Sequence, residues 1–71
     1  METISNRLKQ KREEMNLSQA QLAELVGMKQ QSLQAIEAGV TKRPRFLIEL
    51  ARVLKCDPYW LLYGDVHSKS H

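Results

Sequence analysis

Five side chains within six positions carry most of the chemistry this sequence offers. Lys29, Gln30, Gln31, Ser32 and Gln34 bring together three carboxamides, an ammonium group and a hydroxyl, with no acid before Glu37. A glutamine amide can bond bidentately to adenine N6 and N7, and a lysine can reach guanine O6 and N7, each good contact discriminating by ~1–3 kcal/mol. A merely solvated helix face more often carries Glu–Lys pairs. The cluster therefore points to the reading of base edges.

Other chemistries find little footing. No nucleophile has a candidate base and no carboxylates pair in a recognisable way, so no enzyme is expected. His67 and His71 lie in a polar tail and Cys56 is the only cysteine, which leaves no metal site and no internal disulfide. No cofactor or small-molecule ligand is implied. A single cysteine fits a reducing compartment. No apolar run approaches the ~20 residues of a membrane span, and the first residues hold no apolar secretory segment. A soluble, cytoplasmic protein follows as the expectation.

The chain has 71 residues, 42% hydrophobic and 27% charged, enough for one small globular domain. A core of that size stabilises modestly, and with metal and disulfide excluded a partner subunit is the remaining supplement. The net charge of +3 is unevenly spread. Residues 1–12 carry Arg7, Lys9, Lys11 and Arg12 against Glu2, a balance of +3. Residues 13–28 hold Glu13, Glu14 and Glu24 and no base, giving −3. Residues 29–45 carry Lys29, Lys42, Arg43 and Arg45 against Glu37, +3 again. Two basic blocks thus flank an acidic one, a pattern suited to an anionic partner.

Helix is expected throughout, because β-branched residues are few and scattered. A first helix starts near Thr3 or Ser5, either of which can cap it, and runs to about Glu14 before Asn16 interrupts. Ser18 with Gln21 forms a capping-box pattern ahead of Leu22, Ala23, Leu25 and Val26, and Gly27 ends that helix. A third opens at Lys29 without a good N-cap, places Leu33 and Ile36 on one side, and ends at Ala38 and Gly39. Residues 40–45 form a basic loop in which Pro44 turns Arg43 away from helical conformation. A fourth helix spans about Arg45 to Leu54. Asp57 and Pro58 then cap and open a short fifth helix that Gly64 closes. Residues 1–64 form the domain, and residues 65–71 a flexible tail.

Two helices joined at a glycine by so few residues must cross steeply, which is the helix-turn-helix arrangement. With Gln19 as its first position, Leu22 and Ala23 fall fourth and fifth, Val26, Gly27 and Met28 eighth to tenth, Leu33 fifteenth and Ile36 eighteenth. Ala23 is small where the second helix packs, Gly27 turns the chain, and the apolar positions seal the pair onto the core. The segment of about residues 29–36 becomes the recognition helix, with Lys29, Gln30, Gln31 and Ser32 toward its N-terminal half, where such helices meet the major groove. Ser18, Gln19 and the free amides beside them can hold a phosphate, as can Lys42, Arg43 and Arg45 on the loop. Arg12 either reaches phosphate or pairs inward with Glu37, and both can hold together.

The run from Leu17 to Asp65, above all KQQS followed by GVTKRPRF, resembles the Cro and C1 repressors of lambdoid phages, and the likeness extends over residues 1 to about 64. The resemblance implies an all-α, compact five-helix domain that binds double-stranded operator DNA as a two-fold homodimer and represses by excluding polymerase. It implies that Gln30 and Gln31 are the base-reading pair with Lys29 adjacent, and that Gln19, Lys42, Arg43 and Arg45 clamp phosphates. Arg43, Pro44 and Phe46 with Tyr59, Trp60 and Leu61 correspond to the subunit contact. Ala35 departs from the longer side chain of close relatives and offers a methyl-sized contact to a thymine methyl. The aromatics Phe46, Tyr59 and Trp60 could stack nucleobases, but they lack a basic groove and read better as core and dimer contact.

Overall fold

Each local signal in the sequence closes a specific backbone bond. In the computed structural model, which describes residues 3–64, the Ser18 hydroxyl accepts from the Gln21 amide at 3.1 Å and the Ser18 amide donates to Gln21 Oε1 at 2.8 Å. That reciprocal box starts α2, Gln19–Val26, and Gly27 ends it at φ +85°, a conformation that costs a glycine nothing. Helix α1, Ile4–Glu14, stops before Asn16, which sits at φ +58°. Helix α3, Gln30–Glu37, has Lys29 as its N-cap with no side-chain bond, in keeping with the poor capping signal there. Asp57 accepts from the Tyr59 amide at 2.9 Å and Pro58 opens α5, Pro58–Tyr63.

Helix α4 is shorter than its sequence implied. It spans Leu47–Leu54, while Arg45 and Phe46 form a turn that follows Pro44, so both stay on the loop. Its far end is closed by Lys55 at φ +58°, with the Cys56 amide donating to Ala51 O at 2.9 Å. That is the glycine-type C-cap built with a lysine, at a steric cost of ~1–2 kcal/mol.

All five elements are helical, and no strand occurs among the described residues. Helix α3 packs on α1 and α2, α2 on α4, and α5 on both α1 and α4. Leu8, Leu22, Leu33, Ile36, Leu50 and Leu61 are fully buried, joined by Ile4, Ala23, Ala51 and Leu54. Ala23 is buried on α2, which packs on α3. The tail, residues 65–71, lies outside the described residues.

The first basic block is only partly a surface feature. Arg7 is 4% exposed, and its Nε and Nη2 donate to Leu61 O at 3.0 Å and Leu62 O at 2.7 Å. It caps the carboxyl end of α5, where a cation also meets the negative pole of the helix. Arg12 turns inward as well, and Lys11 lies 5.2 Å from the Trp60 ring centroid. The sequence had counted Arg7 with the basic block and had left Arg12 open between phosphate and Glu37. Here they tie α1 to α5 and α3.

Candidate nucleic-acid interface

A buried carboxylate holds α3 in place. Glu37, on the last turn of α3, accepts Arg12 Nε on Oε2 at 2.7 Å, and on Oε1 accepts Arg12 Nη2 at 3.1 Å and Gln19 Nε2 at 3.0 Å. The Arg12 and Glu37 side chains are 12% and 5% exposed, so the pair is an interior one. Arg12 Nη1 also donates to Leu17 O at 2.8 Å, and the Ser5 hydroxyl donates to Glu37 O at 3.0 Å. The hydrogen bonds from Glu37 raise the Arg12 pKa above its ordinary value, against the opposing effect of burial. Glu37 thereby fixes α3 to α1 and α2, and Arg12 extends the network to the chain entering α2.

Of the two roles open to Arg12, the inward pair with Glu37 is formed here. It also gives Gln19 an occupation that the sequence did not reveal. Its amide nitrogen donates to Glu37 Oε1 at 3.0 Å, while the side chain stays half-exposed. The Ser18 oxygen is used by the capping box, but its own proton remains available for donation.

On α3 itself the division is clean. Leu33 and Ile36 are buried, whereas Lys29, Gln30, Gln31, Ser32 and Gln34 are exposed and Ala35 is half-buried. Beside this face runs a groove of about 480 Å³, with Gln31, Ser32 and Ala35 on one wall and Arg43, Arg45 and Phe46 on the other. The loop is tied to the helix because the Val40 and Thr41 amides both donate to Ala35 O, at 2.9 and 3.1 Å. Lys42, Arg43 and Arg45 are exposed on it, and Arg43 Nη2 reaches the Tyr63 hydroxyl at 3.4 Å. The exposed face of α3 and the Arg43 and Arg45 side chains thus line one groove, while Lys42 lines a separate cavity at the start of α1.

The expected subunit contact is divided differently. Leu61 is fully buried in the core and Pro44 is buried beneath the loop, so neither side chain presents a surface to a partner. Trp60 lies against Lys11 of α1, whereas Phe46 lines the groove beside α3. Arg43 and Tyr59 remain exposed, Tyr59 by 66%. Around Tyr59 the exposed apolar surface continues through Tyr63, with ring centroids 5.9 Å apart, to Ile48. The sequence had assigned Tyr63 and Ile48 no role at this surface.

The helix-turn-helix family model matches residues 8–61, from α1 through most of α5. The chain belongs to the Cro/C1-type helix-turn-helix family. Among members of the family, the HTH-type transcriptional regulator for conjugative element R391 of Providencia rettgeri is 35% identical over 65 residues, covering 92% of this chain. Those residues are 30% of that protein, so the chain spans less than a third of its length. The P22 c2 repressor, solved in complex with a synthetic operator, superposes with a TM-score of 0.86 at 27% identity, covering 92% of this chain and all of that one. The N-terminal DNA-binding domain of SinR from Bacillus subtilis gives 0.77 at 33% identity, over 82% of this chain and 87% of that one. The helix-turn-helix family and these relatives are DNA-binding transcriptional regulators, not enzymes. No helix among the described residues is long and apolar enough to cross a membrane.

Proposed function

We propose that the chain is a sequence-specific repressor domain that binds a two-fold operator as a dimer, with α3 in the major groove. The observation that carries the reading is the exposed amide face of α3, backed by the buried Arg12–Glu37–Gln19 network. Gln30 and Gln31 read base edges, Lys29 and Ser32 flank them, and Ala35 offers a methyl contact to thymine. Lys42, Arg43, Arg45, Ser18 and the α2 N-terminus beside Gln19 hold phosphates, supplying affinity without sequence information. Arg12 contributes by positioning. The operator complex of the P22 c2 repressor, a neighbour in fold, supports this mode of binding. A second copy meets the first across Arg43, Phe46 and Tyr59, with half-sites ~34–36 Å apart. Occupation of the operator then excludes polymerase.

Selection of bound duplexes from a random pool tests the proposal. A symmetric consensus supports the dimer, and a single unrepeated half-site overturns it. On the selected operator, Gln30→Ala costs ~1–3 kcal/mol and relaxes one base pair, whereas Lys42→Ala weakens every duplex alike and lowers the salt slope by about 1. Equal losses for Gln30→Ala on operator and random DNA refute base reading.

A further inference from the structure

The groove beside α3 carries a chemistry that base reading and phosphate clamping leave unused. Its lining includes Met28, Ala35, Ile36 and Phe46, which bring a thioether, two aliphatic groups and an aromatic ring to one concavity. At about 480 Å³ it falls in the size range of small-molecule sites, which pair an apolar lining with a few polar groups that fix orientation. The lining is rooted in the core, since Ile36 is buried and Met28 and Phe46 pack against the buried cluster. Backbone bonds hold its walls in place without a ligand. The Met28 amide donates to Ala23 O, the Val40 and Thr41 amides to Ala35 O, and the Leu50 amide to Phe46 O.

The groove is also charged in one sense. Arg43 and Arg45 line it, and neither takes part in an ion pair among the described residues. None of the described lining residues is acidic, and Glu37, the acid of α3, is committed to Arg12 and Gln19. A guanidinium matches a carboxylate bidentately, while a thioether and a phenyl ring both favour contact with an aromatic body. A small anion with no apolar part would leave Met28 and Phe46 wet. A neutral apolar molecule would leave both guanidiniums without a partner. The complementary occupant has a flat apolar body and one negative end.

We infer that this groove binds an aromatic monocarboxylate, with its carboxylate on Arg43 and Arg45 and its ring against Met28 and Phe46, and that the seated ligand excludes duplex DNA from α3. The exclusion rests on the DNA-binding reading, because Gln31, Ser32 and Ala35 line the same groove. The ligand site stands on the groove alone.

The test titrates the full chain with naphthoate, beside acetate as the charge alone and naphthylmethanol as the ring alone, following backbone amide NMR shifts. Naphthoate should give saturable shifts clustered at Ala35, Thr41 and Phe46. Naphthylmethanol should bind about two- to fivefold more weakly, the range of an exposed charge contact, and acetate should not saturate. Arg45→Ala should weaken naphthoate by the same factor. Ala35→Leu, a substitution that suits a helix, fills the groove and should abolish the shifts while the remaining amide spectrum stays parent-like. Equal binding of naphthoate and naphthylmethanol, or naphthoate shifts that Arg45→Ala leaves unchanged, overturn the site. A second arm follows the anisotropy of a fluorescent duplex taken from the random-pool selection. Naphthoate should release the duplex where acetate of equal ionic strength does not. Naphthoate that saturates the groove with the duplex still bound overturns the exclusion. A chain that binds no duplex at any salt overturns the proposed function instead, and the NMR titration still decides the ligand site.

Discussion

Replacing Arg12 with methionine should be among the costliest single substitutions in this domain. The change removes two hydrogen bonds to Glu37 and one to Leu17 O, leaving a carboxylate that is 5% exposed with only the Gln19 amide as partner. Removing one member of a buried pair costs about 3–5 kcal/mol, because the survivor remains charged and poorly solvated. A domain of 71 residues has about 4–11 kcal/mol of stability in total, so the variant should be near or past its unfolding midpoint at moderate urea. Combining Arg12→Met with Glu37→Met removes the stranded charge, and apolar replacement of such pairs is often neutral or stabilising. Urea unfolding of the parent, both single variants and the double variant gives the coupling energy. A double variant within about 1 kcal/mol of the parent, with Arg12→Met far below, matches the structure. An Arg12→Met loss under about 1 kcal/mol, or losses that simply add, would mean that the pair behaves as an exposed one and would refute the reasoning.

Two further outcomes follow from the backbone and the cysteine. Gly27→Ala should cost about 1 kcal/mol in thermal unfolding: φ of +85° strains any L-residue, but a Cβ there meets nothing within 4 Å. A loss well above that would place unrecognised packing at the turn. Burial pushes the Cys56 thiol up from its ordinary pKa, with Lys11 opposing and Asp57 assisting. A raised thiol pKa means less thiolate at a given pH in the folded state, so stability from the neutral thiol is present below the unfolded value and is lost as pH rises through the folded one. Thiol labelling near pH 8 should therefore be slower in the folded protein than in urea, and equal rates would contradict the burial.

Much of the fold was legible in the sequence because it rests on short-range devices. The Ser18–Gln21 box, Gly27, and the Asp57–Pro58 pair each act over a few residues, and each closes the bond its residue types imply. The amide face of α3 was legible for the same reason, being one helical stretch. Long-range partners were not. Arg7 bonds to carbonyls 54 and 55 residues away, which carry no side-chain signature, although its spacing from Ile4 places it on the buried face of α1. Gln19 meets Glu37 across 18 residues, so its inward role could not be read from position in α2 alone. Lys55 adopts a glycine-like conformation that its identity argues against. Leu61, expected at the subunit contact, is instead buried, because a six-residue helix turns its apolar residues in several directions.

The way α3 is anchored also bears on how such a domain can change over generations. Leu33, Ile36 and Glu37 hold the helix, while Lys29, Gln30, Gln31, Gln34 and Ala35 make none of the hydrogen bonds or salt bridges of its side-chain network. If the outer positions read bases as proposed, substitutions there alter preference without first costing the frame its stability, and the converse holds for the inner ones. Recognition can drift while architecture stays fixed, and a foreign outer face could be grafted onto this scaffold by exchanging a handful of codons.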